Sequence, residues 1–305
     1  MQHKSVTPSR LLNSPGWEAR VETSLLKAQD DWRSSTEFRS HGHILRRLFS
    51  DVGLDAVLCV EGRPTVCVKN ARGFSDEEID VVRRKLWNLG ATTLLMVERQ
   101  TQVQLFSTMA KPSHQDNRKA MLSEETITSL ESADLALHLR QFIRRVETGA
   151  IYRDNKQLFD PKHTVDKVLL NNLSVARDLI CPEVSVMGYR RAHALVGRFL
   201  FSCYLLDRGI IGDGYLSKNG LSGIKDMIEL LDSTRADRVG SLVKLFSALN
   251  RDFNGSLFGD EDTTVTEAEV DVLQRFLSGE DLQRRQMALS FKLYDFSFIP
   301  VEFIS

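Results

Sequence analysis

The chain has 305 residues, 42% hydrophobic and 27% charged, with a formal net charge of -1. This is an ordinary globular composition, long enough for about two domains. The near-zero charge excludes a whole-chain electrostatic case for nucleic-acid binding and leaves only local basic faces for that purpose. Residues 1–40 read as an N-terminal segment, loose at first and then helical. Met1 to Pro15 is polar, and helical spacing runs from Trp17 to Leu48, with Ile44, Leu45, Leu48 and Phe49 able to seat a face. Residues 41–112 read as a small α/β domain. Leu54–Val60 and Thr65–Val68 form a hairpin around Glu61-Gly62-Arg63-Pro64. Ser75-Asp-Glu-Glu78 is a capping box opening a helix that presents Ile79, Val82, Leu86 and Leu89 and stops at Gly90. Strands are expected at Thr93–Val97 and Gln102–Phe106.

After a polar linker from Lys111 to Lys119, residues 120–290 read as an all-helical connector. Leu135, Leu139, Phe142, Ile143 and Val146 repeat at three and four, as do Val165, Val168, Leu169, Leu173, Ala176 and Ile180. Ala192–Leu206 predicts a central buried helix, and two further helices are expected around Leu242–Leu249 and Val270–Leu277. Residues 291–305 are a dense apolar run. Chain ends are usually polar, so this run is expected to pack beneath a domain that the chain does not contain. Phe296, Phe298, Ile299 and Phe303 are its candidate interface.

Cys59, Cys67, Cys181 and Cys203 sit singly in apolar surroundings, without metal-ligand or disulfide spacing, and read as reduced side chains. No apolar run reaches the roughly 20 residues of a membrane helix, and the first ten residues lack the apolar stretch of a secretory signal. No membrane partner and a cytoplasmic setting are expected. Asn250, Asp252, Asn254, Gly255 and Glu261 fall at the spacing of a calcium loop. Asn250 removes a charge that such a site needs, and Phe258 stands at a ligand position, so a structural turn is expected. The histidines form no metal spacing, and Asp207-Arg208-Gly209 reads as a helix end. Arg46-Arg47 and Arg190-Arg191 are the candidate DNA contacts, although such pairs are more often solvated helix faces. There is no Gly-Lys-Ser/Thr phosphate loop and no Asn-Pro-Pro-Tyr or Asp-Pro-Pro-Tyr run.

The hairpin resembles the layout of PD-(D/E)XK nucleases: an acid on one strand, a Glu-x-Lys strand, then a helix. Asp55 and Lys69 match it, and Cys67 stands where the second carboxylate is expected. Mg²⁺ prefers hard oxygen donors, so a thiol there disfavours the metal. The resemblance implies a degenerate nuclease-like domain, with Mg²⁺ only if the nuclease reading holds. An unrelated α/β module with a charged hairpin stays open.

Further stretches resemble the amino-terminal half of type IIG-like adenine-specific DNA methyltransferases of restriction–modification and phage-defence systems. They are Val60-Glu-Gly-Arg-Pro-Thr65 with Lys85–Gly90, Phe159-Asp-Pro161 with Val165–Leu170, Leu195–Phe201 running into Tyr204–Ile210, Phe253–Phe258, and Tyr294–Ser305. The resemblance implies an α+β protein: the nuclease-like domain, then the helical domain, without the methyltransferase domain. It implies DNA as a partner, and a separately encoded methyltransferase chain as another. S-adenosylmethionine belongs only to the missing domain, and this chain is expected to hold no cofactor. The rival readings are a metal-dependent PD-(D/E)XK-type nuclease and a helical protein-interaction module, the latter calcium-responsive if the 250–261 loop held the ion.

Overall fold

The computed structural model describes residues 8–17, 23–28, 30, 32–112, 120–182, 185–253, 264–280, 282 and 292–300. The protein is α+β, and its chain divides into two compact units, residues 1–165 and 166–305.

The first unit is built on a mixed five-stranded sheet. Its strands are β1 (Thr23–Lys27), β2 (Ala56–Val60), β3 (Arg63–Asn70), β4 (Leu94–Glu98) and β5 (Val103–Ser107), and they lie in sequence order. Neighbours are antiparallel except β3 and β4, which run parallel. The hairpin turn is Glu61-Gly62 alone, both at positive φ, as a two-residue primed turn requires. Pro64 is already in β3. It lies opposite Cys59 where the register shifts, a place in a sheet that tolerates a residue without an N–H.

Helix α1 (Gly42–Arg47) runs into a wider turn over Leu48–Val52 and ends at left-handed Gly53. Parallel strands need a crossover, and α2 (Asp76–Leu89) supplies it. The Ser75 hydroxyl accepts from the Glu78 N–H at 3.2 Å, and the Glu78 carboxylate accepts from the Ser75 N–H at 2.8 Å. The capping box read from the sequence is therefore formed.

Both sheet faces are covered, which suits the continuous apolar runs of β2 and β4. On one face Leu58, Val66, Val68, Leu94, Met96 and Leu105 meet helix α3 (Ser132–Glu147) through Leu135, Leu139, Phe142, Ile143 and Val146. Gly16 lets the N-terminal segment pass close to α3, since a Cβ there would meet Leu139 Cβ at 2.8 Å. On the other face lie Val57, Cys67, Leu95 and Val97. Helix α2 covers that side, with the Arg83 guanidinium 4.9 Å above the Phe106 ring.

Two expectations change here. The stretch read as helical from Trp17 to Leu48 contains β1, which the backbone of β2 completes as a strand. The boundary expected between 112 and 120 falls instead at Val165. The reason is the sheet itself: Val103 and Ile127 exchange backbone hydrogen bonds at 2.8 and 2.9 Å, and the Leu122 N–H donates to the Leu105 carbonyl. Residues 120–127 thus close the outer edge of β5, an edge that would otherwise offer unpaired donors and acceptors. Helix α3 and the short α4 (Ala150–Asp154) follow in the same unit.

Among its described residues the second unit is helical. It contains most of α5 (Val165–Ile180), then α6 (Val186–Asp207), α7 (Asp213–Lys218), α8 (Met227–Leu231), α9 (Arg238–Phe253) and α10 (Glu267–Ser278). Helix α6 buries Ala192, Leu195, Phe199, Cys203 and Leu206, as its apolar sequence predicts. Phe199 meets Phe276 of α10 edge-on, and Phe276 stacks on Tyr294 at 5.1 Å.

Candidate functional site at the sheet edge

Strand β2 begins and strand β3 ends on the same rim of the sheet. Register places Ala56 opposite Val68 and Val57 opposite Cys67, so Asp55 and Lys69 face each other one step further on. Side chains alternate along a strand, which puts Cys67 and Lys69 on one face with Asp55. The Asp55 carboxylate accepts from the Asn70 N–H at 2.7 Å and pairs with Lys69 Nζ at 3.3 Å. Lys69 Nζ also donates to the Gly53 carbonyl at 2.5 Å and lies 5.4 Å from the centre of the Phe74 ring. The lysine side chain is only 13% exposed.

Cys67 is fully buried. Its thiol donates to Thr92 Oγ1 at 3.5 Å. Burial pushes its pKa up to about 12, so it stays protonated at physiological pH and offers no anionic ligand. Glu98, at the end of neighbouring β4, does not replace it. It follows Leu94 and Met96 on the opposite face and is buried against Ser9, Arg10 and Arg72.

These residues do not fit a divalent metal. A divalent ion carried by Asp55 would sit near the Lys69 ammonium. At about 4 Å and an effective dielectric near 20, their repulsion is about 8 kcal/mol, which takes back about half of what a single carboxylate at bonding distance would supply. No cluster of three or more His, Cys, Asp or Glu side chains suited to a metal occurs among the described residues.

The four arginines proposed for DNA divide into two kinds. Arg46 and Arg190 are exposed. Arg47 is engaged by Asp51 at 3.1 Å, and Arg191 is held by Glu269 and the Thr264 carbonyl. The two pairs lie in different units.

The apolar interface expected at the C-terminal run is corrected by the structure. Phe296 and Ile299 are wholly buried and Phe298 is 5% exposed. The chain's own second unit encloses them. The Asp207 carboxylate pairs with Lys292 and accepts from the Phe296 N–H at 2.9 Å. Arg208 donates to the carbonyls of Phe296 and Ile299. Asn172 Nδ2 donates to Tyr294 Oη at 2.8 Å. Phe303 lies outside the described residues, as does the calcium-like loop from Asn254 to Glu261. Within the described part of that loop, Asp252 is taken by Arg251 at 2.9 Å.

Sequence reasoning missed the partners rather than the principals. The Gly53 carbonyl carries no side-chain signal. Lys292 is 85 positions from Asp207, beyond any local spacing rule. Gly209 does take the left-handed conformation expected of a helix stop. No family model, curated protein or solved structure matches this chain.

Proposed function

We propose that this chain is a DNA-contacting scaffold of a restriction–modification or phage-defence adenine-specific DNA methyltransferase system, built partly on a nuclease-like sheet that does not cut. The observation that carries this reading is the cross-strand Asp55–Lys69 pair with a buried thiol at the second carboxylate position. An acid just ahead of one strand, a neighbouring strand that carries Lys69 with Cys67 in place of the expected carboxylate, and a following helix support the comparison with the nuclease layout. The buried Cys67 leaves the second carboxylate position without a hard oxygen ligand. The scattered sequence stretches supply the methyltransferase context, and methyl transfer with S-adenosylmethionine belongs to another domain or chain. Exposed Arg46 and Arg190 supply local positive charge for phosphate contact. The C-terminal run no longer supports the reading, because Phe296, Phe298 and Ile299 already have partners within the chain.

The test is one set of duplex-DNA samples with Mg²⁺ or Mn²⁺. Retardation that weakens with salt and falls in an Arg46→Glu/Arg190→Glu variant is expected, with no strand cleavage. Cleavage that disappears in Asp55→Ala would establish the nuclease alternative instead. Unchanged retardation in the double arginine variant would reject the DNA contacts.

A further inference from the structure

The sheet edge holds a charge arrangement that the scaffold reading does not need. Three groups from two stretches of chain converge on one ammonium. They are the Gly53 carbonyl and the Asp55 carboxylate, both just ahead of β2, and the Phe74 ring ahead of α2. A carbonyl oxygen, a carboxylate and an aromatic face are all groups that favour a cation. The lysine stem is largely buried, so its charge depends on them. Gly53 turns its carbonyl inward from a left-handed conformation, φ +79, that closes the turn after Val52.

We infer that the Lys69 ammonium is the resident cation of this edge and occupies the charge position that a divalent ion would take. The inference rests on the nuclease-like reading for its comparison, but its geometry stands without it. Lys69 thereby acts as a positioning residue: it ties the Gly53 turn to β3 and keeps Asp55 neutralised. Cys67, two residues earlier and buried beneath, adds no ligand that would draw a metal in.

The experiment uses the full chain and follows its melting temperature with Mn²⁺, with ethylammonium and with neither. A ligand that binds only the folded state raises that temperature. The parent and Lys69→Arg, which keep a cation in place, are expected to be indifferent to both. Lys69→Ala is expected to melt lower and to regain several degrees with either cation. The Asp55→Ala/Lys69→Ala pair is expected to lose that rescue. Proton relaxation of water by Mn²⁺, measured on the parent and on Asp55→Ala, covers the case in which Lys69→Ala fails to fold.

Asp55-dependent Mn²⁺ binding by the parent overturns the inference, and so does a folded Lys69→Ala that neither cation stabilises. DNA retardation measured on the same samples fails independently, so loss of the scaffold reading and loss of this inference are distinguishable.

Discussion

Gly279 shows how one residue fixes a whole segment. It sits at φ +65 just beyond α10, and a Cβ there would lie 2.6 Å from Leu293 Cβ. Backbone strain and overpacking act together in Gly279→Ala, and a loss of about 1–3 kcal/mol is expected in urea titration. A midpoint unchanged from the parent would show that Leu293 does not pack as described.

Lys292, one residue away from Leu293, gives a pH signature. Burial works against its charge, yet the Asp207 carboxylate and hydrogen bond outweigh burial and raise its pKa above the usual 10.5. Its stabilisation is complete below the unfolded value and is lost as pH rises through the higher folded value. Burial raises the Tyr294 hydroxyl as well, and the unfolded phenol ionises first, so that loss has the same sign. Burial also pushes Asp207 up against the pull of Lys292, so the pair contributes no acid loss. Urea midpoints are therefore expected to fall above about pH 10, less steeply in Lys292→Met and in Tyr294→Phe. An equal fall in all three proteins would refute the assignment.

Among the elements, α3 carries the largest reassignment. Its five core residues meet the sheet, and Leu139 is wholly buried among them. Each such side chain contributes roughly 1.5–3 kcal/mol of transfer free energy. Leu139→Ala is expected to cost about 2–5 kcal/mol, read as a lower midpoint for the sheet unit.

The helix itself was legible, because its apolar residues repeat at three and four. Its partner was not, because periodicity gives a face and not what the face meets. The same division runs through the sheet. The hairpin, the capping box and strands β4 and β5 were readable from β-branched runs and turn residues, with boundaries one position off in β4 and β5 and up to two in the hairpin. Strand β1 was not: Thr23-Ser-Leu-Leu-Lys27 has no clear period of two, and pairing with β2 decides its state. At the candidate site, Asp55, Cys67 and Lys69 were visible as a pattern, and the two strands bring them onto one face. The Gly53 carbonyl that completes the ammonium's surroundings belongs to the backbone and leaves no mark in residue type.

For the whole molecule, the organising fact is the division at Val165. The first unit has its own sheet, with helices on both faces and a closed β5 edge. A fragment of residues 1–165 is expected to unfold cooperatively by itself. A fragment that ends at 112 lacks α3 and the strip over β5, and is expected to aggregate or to lack a sharp transition. Circular dichroism and sedimentation of the two fragments check this, and a cooperative 1–112 fragment would overturn the reassignment.

The tryptophans follow the same division. All three (Trp17, Trp32 and Trp87) fall before Val165, and none follows it. Trp87 is almost wholly buried, with its indole N–H bound to the His163 carbonyl. Indole emission is thus a built-in optical label of the sheet-bearing half, silent about the helical one. A melt in which emission and far-ultraviolet ellipticity change at different temperatures would separate the two halves without any engineered probe.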